Sequence, residues 1–378
     1  MSKLIDIRNK IDEIDEELVK LFTKRLDLAK EVANTKILSK TAVLNFEREE
    51  EVLLRTSKIA GELGRQITTI MKTVMRISRE KQYEIICDND EDWELKNITQ
   101  ASLNNKYKED IIVFGGNVGS YSERAAIIMY PNVVPIGQKS FEDACKLVAR
   151  EKADIAVLPL ENSTAGTVNE VYDLLPKYGL YIVKALSSDI ENCLLGIKGA
   201  KLSDIKEVVS HPQALMQCDK LIKNMNLIST PSENTAFAAE LVSKSNNKSI
   251  AAIASQKTAK EYSLEILLSS INNETTNQTR FVALSKKPRI SSTANRVSIA
   301  FKLAHQSGSL DSVLSIFADL NLNLVKIQSR PIPHMPWEYL FYLDFNSEID
   351  NKDAFRALYH LEKELPYLAF LGWYKQEN

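Results

Sequence analysis

The first stretch of the chain contains no residue that breaks a helix. The first glycine is Gly61 and the first proline is Pro131, so the first sixty residues can form long uninterrupted helices. Apolar residues recur there at alternating spacings of three and four positions: Leu4, Ile7, Ile11, Ile14, Leu18, Leu21, Leu28 and Val32. This period predicts one long amphipathic helix with a single apolar stripe. Two more helices are predicted over residues 47–60 and 67–86, so residues 1–90 are expected to form an all-helical domain.

The composition excludes several classes of protein. A chain of 378 residues is long enough for two or three domains, and its net charge of -2 leaves no basic surplus for nucleic acid. The charged N-terminus has no apolar signal segment, and no stretch approaches the roughly 18 apolar residues of a membrane span. The sequence therefore predicts a cytoplasmic protein with no nucleic-acid or membrane partner. The four cysteines lack CxxC spacing and are expected to be packed thiols, so neither a metal nor a cofactor is expected.

Charged residues enter the apolar stripe of the first predicted helix. Arg25 occupies the stripe position between Leu21 and Leu28. Lys36 follows eleven residues later, which is about 1100° of rotation, so it points within roughly 20° of Arg25 and lies about 16 Å along the axis. Two long cationic side chains at that separation can clamp a small dianion.

The other two predicted helices show the same anomaly. Ser78 and Gln82 continue the apolar line of the third helix, and Glu49 interrupts that of the second, with Arg48 beside it. One such residue is more often a solvated side chain on a frayed stripe, and the spacing alone would also fit a coiled-coil dimerisation arm. Arg8 lies about 260° around the first helix from Arg25, so it cannot serve the same pocket and points to that of a partner chain.

Four segments, RNKIDEID, LFTKRLDLAKEVANTK, NFEREEEVL and ISREKQ, resemble the signatures of the all-helical chorismate mutases. The resemblance implies an intertwined homodimer whose chorismate site is lined by Arg25, Lys36, Asn45, Arg48, Glu49, Ser78 and Gln82, with Arg8 from the other chain. Asn45 stands where an aspartate is expected. Rearranging chorismate to prephenate needs no acid, base or metal, only the folded conformer and donors to the ether oxygen. Lys36, Gln82 and Glu49 are the expected catalytic residues.

Periodicity is lost between Asp88 and Asp110, which predicts a linker over residues 91–109. Short β-runs then alternate with helices: IIVFGG, DIAVLPL, EVVS, SIAAIAS and RFVAL. This order predicts an α/β domain over residues 110–286 with a mostly parallel sheet. Polar loops follow three of its strands, at residues 115–122, 161–166 and 210–213. Such loops favour an anionic ligand at helix N-termini, although strand-to-helix loops are commonly polar and a two-lobed solute-binding protein would have the same loops.

The motifs GSYS, PLENS, SHPQ and NQTRF, in this order, resemble those of prephenate dehydratase. The resemblance implies two α/β lobes, like those of periplasmic binding proteins, with the substrate site between them. Thr279 is the expected catalytic proton donor to the leaving hydroxyl, although it could also simply open a strand. The expected prephenate-binding residues are Ser120, Ser122, Asn162, Ser163, His211, Gln213, Gln217, Arg280 and Phe281.

The order strand, helix, strand, strand, helix, strand over residues 296–375 predicts an α+β, ferredoxin-like unit. It resembles an ACT domain, which implies an allosteric phenylalanine site at two stretches: Gly308, Ser309 and Leu310, then Gln328, Ser329, Arg330 and Pro331. Ser309 and Gln328 replace the expected alanine and glutamate, so weak phenylalanine control is expected.

The three resemblances together span the whole chain and match the bifunctional chorismate mutase/prephenate dehydratase family of phenylalanine synthesis. They imply a multidomain homodimeric enzyme with chorismate and prephenate as substrates and phenylpyruvate as the product. The alternative is a regulatory protein that binds an amino acid or an aromatic acid and has lost one or both activities. Lys36, Gln82 and Thr279 favour the enzyme.

Overall fold

Three helices form the N-terminal domain, as the periodicity predicts. The computed structural model describes residues 2–105, 107–274, 276–332 and 335–377. The helices are α1 (Ser2–Ser39), α2 (Phe46–Ala60) and α3 (Gly64–Asn89). Asn45 caps α2 by accepting a hydrogen bond from the Arg48 amide, and Gly61, with φ of 58°, ends it. No helix among the described residues is both long and apolar enough to span a bilayer.

The predicted linker is wrong in part, because residues 91–109 contain a fourth helix, α4 (Glu94–Asn104). Its buried residues are Leu95, Thr99 and Ser102, two of them polar, so the sequence shows no apolar period. Tertiary contacts fix this helix. Trp93, which precedes it, is buried and donates a hydrogen bond of 2.7 Å to Glu362 near the C-terminus.

The first α/β lobe is built from two separate stretches of chain. Its elements are β1 (Ile112–Gly115), α5 (Tyr121–Met129), β2 (Ile136–Gln138), α6 (Phe141–Ala149), β3 (Ile155–Asn162), β4 (Gly166–Thr167), α7 (Asn169–Tyr178), β5 (Tyr181–Asp189) and β11 (Gln278–Ser285). The strands run in the order β5-β11-β3-β1-β2, and β4 pairs with β3. The chain leaves this lobe after β5 and returns through β11.

The second lobe lies between these two crossings. Its elements are β6 (Cys193–Gly196), β7 (Glu207–Ser210), α8 (Pro212–Gln217), α9 (Asp219–Asn224), β8 (Ile228–Pro231), α10 (Thr235–Ser245), β9 (Ile250–Ala254), α11 (Gln256–Glu261) and β10 (Glu265–Leu268). Its strand order is β10-β6-β9-β7-β8. The expectation of a mostly parallel sheet is wrong: β11 runs antiparallel to β3 and β5, and β6 runs antiparallel to β9 and β10. Chain crossings between lobes, which local pattern does not reveal, set these directions.

The C-terminal unit has the predicted order of elements. They are β12 (Arg296–Lys302), α12 (Ser309–Asp319), β13 (Leu324–Pro331), β14 (Tyr339–Asn346), α13 (Lys352–Glu364) and β15 (Tyr367–Glu377). The strands form an antiparallel sheet in the order β13-β14-β12-β15. The end of β15 pairs parallel with β5, so this sheet continues that of the first lobe. Tyr83 and Cys87 of α3 share a core with Phe301 and Trp373, so the helical domain packs directly on the C-terminal unit.

Candidate active sites

A cavity of about 360 Å³ lies between α1, α2 and α3. Its lining residues are Arg25, Lys36, Val43, Asn45, Arg48, Glu49, Val52, Arg55, Thr56, Met71, Met75, Ser78, Arg79 and Gln82. All seven predicted residues of the same chain are among them. The structure therefore brings together side chains that the sequence separates by up to fifty-seven positions.

Two cations are held on the α1 wall of this cavity. Arg25 donates hydrogen bonds to the Ser78 hydroxyl and, at 3.2 Å, to the Val74 carbonyl. Lys36 Nζ donates to the Val43 carbonyl at 2.6 Å. Burial lowers the pKa of both cations, and the negative charge of Glu49 opposes that shift. Partly desolvated cations of this kind attract an anionic ligand more strongly than exposed ones.

The acidic and amide groups of the cavity are also ordered. Glu49 forms an ion pair with Arg79, a residue that the sequence reasoning did not select although it stands next to Ser78. Gln82 donates its amide hydrogen to the Ser78 carbonyl at 3.1 Å, and its Oε1 is buried without a hydrogen-bond partner in the described part of the chain. A buried polar group left incomplete at a cavity wall is a candidate ligand contact.

Arg8 does not reach this cavity. It is exposed on the N-terminal half of α1, as are the apolar stripe residues around it, with Ile11 50% and Leu18 58% accessible. The cavity formed by one chain therefore lacks the eighth predicted residue, as the rotation of Arg8 away from Arg25 requires.

A second cavity, of about 420 Å³, lies between the two α/β lobes. Its lining residues are Gly115, Gly116, Ser120, Tyr121, Ser122, Lys139, Ser140, Phe141, Pro159, Asn162, Glu170, Ile190, Asn192, His211, Gln213, Ala214, Gln217, Glu233, Asn234, Thr235, Thr279 and Phe281. Eight of the predicted binding and catalytic residues are present: Ser120, Ser122, Asn162, His211, Gln213, Gln217, Thr279 and Phe281. Cavities of this volume hold small organic ligands.

Four helices begin at this second cavity. The residues that cap them are Ser120 for α5, Ser140 for α6, His211 for α8 and Asn234 for α10. Free amide groups and the partial positive charge of helix N-termini favour an anion at that point. The sequence reasoning found the first and third of these helix starts but missed residues 139–141 and 233–235. The hydrogen-bonded pair of Ser140 with Asp143, a capping pattern visible in the sequence, was the available signal.

Thr279 lies in the floor of the cavity with its hydroxyl oriented by a neighbour. Asn162, directly opposite on β3, donates its amide hydrogen to Thr279 Oγ1 at 2.9 Å. The side-chain Oδ1 of Asn162 in turn accepts hydrogen bonds from the backbone amide of Ala165 and from the side-chain amide of Gln217. Thr279 Oγ1 accepts the hydrogen bond from Asn162 and donates none within the described residues, so its own proton is free to point at a ligand.

His211 is positioned as a neutral donor. Burial lowers the pKa of its imidazole, which favours the neutral form. Its Nδ1 accepts a hydrogen bond of 3.2 Å from the Gln213 amide, so the proton of the neutral ring resides on Nε2.

Two predicted prephenate-binding residues do not line the cavity. Adjacent residues of a strand point to opposite faces, so Arg280 points away from the face of Thr279 and Phe281. It forms a buried ion pair of 2.5 Å with Asp344 and also contacts the Tyr374 hydroxyl.

Ser163 is the second predicted residue outside the cavity lining. It is exposed, and its hydroxyl donates to the Thr276 carbonyl and accepts from the Gln278 amide. Ser163 therefore fastens the start of β11 rather than contacting the cleft, because the chain turns away from the sheet immediately after Asn162.

The two stretches predicted to bind phenylalanine are not brought to one cavity in the single chain. Gly308, Ser309 and Leu310 line a cavity of about 650 Å³ beside β12 and β14, whose lining does not include residues 328–331. The Gln328 side chain instead accepts a hydrogen bond of 3.4 Å from Thr167 in the first lobe. The two stretches lie apart because β13 is the edge strand and its polar face covers the first lobe, so the phenylalanine site stays a prediction.

Comparison with known proteins gives matches over both candidate sites. The chain is 31% identical over 388 residues to the bifunctional chorismate mutase/prephenate dehydratase of Buchnera aphidicola subsp. Schizaphis graminum, covering 99% of this chain and 97% of that protein. The chain belongs to the bifunctional chorismate mutase/prephenate dehydratase family. Within it, residues 7–83 match the family model for chorismate mutase type II, and residues 112–289 match that for prephenate dehydratase.

Other known proteins match part of the chain. Arogenate dehydratase/prephenate dehydratase 1 of Arabidopsis thaliana is 38% identical over 282 residues, which are 70% of this chain and 72% of that protein. The crystal structure of prephenate dehydratase from Arthrobacter aurescens in complex with L-Phe is 27% identical with a TM-score of 0.65, covering 70% of this chain and 89% of that one. A quorum-quenching acylase, GqqA, is 30% identical, with a TM-score of 0.65 and coverage of 71% and 98%.

Proposed function

We propose that the chain catalyses two consecutive reactions of phenylalanine biosynthesis at its two cavities. The helical cavity rearranges chorismate to prephenate, and the cleft between the lobes converts prephenate to phenylpyruvate. The observation that carries this proposal is the presence of two separate cavities, each lined by the residues of its own motif, on a chain that bifunctional relatives match over their full length.

The helical cavity suits an intramolecular rearrangement of a dianion. Arg25 and Arg48 hold the carboxylates of chorismate. Lys36 and Gln82 donate hydrogen bonds to the ether oxygen as its bond to the ring carbon breaks and a new C–C bond joins the side chain to the ring. Glu49 accepts a hydrogen bond from the ring hydroxyl. These groups are fixed before the substrate arrives, so they hold the folded conformer and stabilise the developing charge without reorganising.

The cleft suits removal of a hydroxide and a carboxylate from the same ring. Thr279 gives its proton to the leaving hydroxyl, and water departs as the C–C bond to the ring carboxylate breaks and carbon dioxide leaves; Thr279 then regains a proton from water. The electron pair of that bond completes the aromatic ring, which supplies most of the driving force. Asn162 keeps the Thr279 proton directed at the substrate, and the helix N-termini hold the carboxylates.

A homodimer is part of this proposal. The exposed stripe on the first half of α1 is a continuous apolar surface, of the kind that marks a protein interface. A second copy of the chain packed along it would cover the stripe. Its Arg8 would be the third arginine that binds substrate carboxylates in the helical cavity.

The C-terminal unit is proposed to be an ACT regulatory domain that binds phenylalanine. Its strand order, 2-3-1-4 in chain order within the unit, is that of a ferredoxin-like fold, and a structural relative has been crystallised with L-Phe. Gly308 to Leu310 and residues 328–331 would complete one site only across two copies, because they lie apart in one chain.

Adding chorismate to the purified protein tests the proposal directly. Formation of prephenate followed by phenylpyruvate supports both activities, and adding prephenate alone isolates the second. A protein that binds these acids without converting them would instead be a regulatory binding protein that has kept the fold and lost catalysis.

A further inference from the structure

The mutase cavity shares its ion-pair network with the C-terminal unit. Arg79 lines the cavity and contacts Glu49 through one guanidinium nitrogen. Its Nε donates to Glu364 Oε1 at 2.7 Å, and Glu364 is the last residue of α13. A side chain 285 residues away in sequence therefore touches the guanidinium that holds a proposed catalytic carboxylate.

Both side chains of this contact are largely buried. The Arg79 and Glu364 side chains are 12% and 15% accessible, so water screens them little. Burial lowers the pKa of Arg79, but Glu364 and Glu49 outweigh that effect and raise it. Burial likewise opposes ionisation of Glu364, yet His360 and Arg79 hold the pKa of its carboxyl below the ordinary value. Both partners are therefore charged at neutral pH.

His360 of α13 contacts both Glu364 and a residue of α3. His360 Nε2 lies 3.0 Å from Glu364 Oε1. The His360 ring stacks on Tyr83, one turn beyond Arg79 on α3, with ring centroids 4.4 Å apart. The stacking fixes α13 against α3 where Glu364 meets Arg79.

We infer that Glu364 is a positioning residue for the mutase reaction: it fixes Arg79, which in turn holds Glu49 in the orientation that the substrate requires. Without Glu364, the buried guanidinium would keep Glu49 as its one remaining ion-pair partner among the described residues and would draw that carboxylate away from the cavity. The C-terminal unit is then a structural part of the mutase site. This inference rests on the proposed mutase activity.

Glu364→Gln tests it, with both activities measured in the same sample. We expect the mutase kcat to fall about ten- to a hundredfold, the range that a small displacement of a catalytic group produces. The KM for chorismate should not rise, because the substitution removes a negative charge near a site for a dianion. Glu364→Asp, which keeps the charge, should recover part of kcat, and dehydratase activity on prephenate should be unchanged in both variants.

Asp88→Asn is the matched control. Asp88 forms an ion pair of 2.7 Å with Arg356, so it also joins α3 to α13, but it does not contact Arg79. Its mutase kinetics should equal those of the unsubstituted protein. An unchanged kcat in Glu364→Gln, or an equal loss in Asp88→Asn, would overturn the inference while leaving the proposed function intact. An unsubstituted protein that does not convert chorismate would overturn both.

Discussion

The two cavities of this chain handle anions in different ways. The helical cavity is lined by five cationic side chains, Arg25, Lys36, Arg48, Arg55 and Arg79, with Glu49 as the acid among them. Among the described residues that line the cleft between the lobes, Lys139 is the one lysine or arginine, and it lies with four capped helix N-termini and a group of amides and hydroxyls. We therefore expect the first site to attract its ligand with side-chain charge, and the second to do so mainly with backbone dipoles.

This contrast matches the chemistry proposed for each site. A rearrangement within one molecule transfers no proton, so fixed charge and shape are sufficient. Loss of hydroxide requires a proton donor, and a dense cluster of cations would stabilise the ring carboxylate and oppose its loss as carbon dioxide. Neutral donors such as Thr279 and helix N-termini can hold the substrate without that penalty.

The largest predicted effect tests whether the helical cavity depends on charge. Lys36→Ala should lower mutase kcat by roughly 100- to 1000-fold, the loss typical of removing one preorganised donor. Dehydratase activity on supplied prephenate should be unchanged, because Lys36 is confined to the helical cavity. Initial rates on each substrate give the answer, and normal conversion of chorismate would contradict the assignment of this cavity.

The second prediction tests whether the cleft depends on a neutral proton donor, Thr279. Thr279→Ala should reduce dehydratase turnover by about 100-fold, the lower range for loss of a general acid. Thr279→Ser should retain part of it, because Asn162 can still donate to the serine hydroxyl. Mutase activity serves as the internal control for folding. If the alanine variant turned over as fast as the unsubstituted protein, Thr279 would be only a strand residue.

The same contrast explains which parts of the molecule the sequence could predict. Helical periodicity makes a misplaced polar residue visible, so residues such as Arg25, Ser78 and Gln82 could be selected from the sequence, and all three line the helical cavity. The cleft is assembled from loop residues of two lobes, where no period exists, and so Lys139 and Asn234 were missed. Arg280 does not line the cavity, because the two-residue period of a strand places its side chain on the face opposite Thr279, and its role in binding stays a prediction. α4 was missed because tertiary contacts, rather than an apolar stripe, hold it.

A smaller effect is predicted at the C-terminal unit. Combining Gln328→Glu with Ser309→Ala should lower the phenylalanine concentration for half-inhibition of the dehydratase by about tenfold. One decade corresponds to about 1.4 kcal/mol, which is within the gain expected when a neutral hydrogen bond becomes charged. Gln328 lies two residues after Lys326 on β13. The Ser309 hydroxyl donates to the backbone carbonyls of Ala304 and Gln306.

Titrating phenylalanine against dehydratase activity in both proteins measures this change. Weak inhibition of the unsubstituted chain that strengthens in the double variant is the expected result. Strong inhibition of the unsubstituted chain, unaltered by the two substitutions, would show that neither position determines affinity.

The smallest predicted effect concerns Asn45, which replaces an expected aspartate in the mutase cavity. Its Oδ1 caps α2 by accepting a hydrogen bond of 3.0 Å from the Arg48 amide, and aspartate caps helices equally well. Asn45→Asp should therefore change mutase kcat/KM by less than about threefold, or roughly 0.65 kcal/mol. Asn45→Ala removes the cap and should lower the free energy of unfolding by about 1 kcal/mol, measured by urea denaturation. A rise of tenfold or more in the aspartate variant would mean that the side chain contacts the substrate, and that the native asparagine limits a site otherwise built from charge.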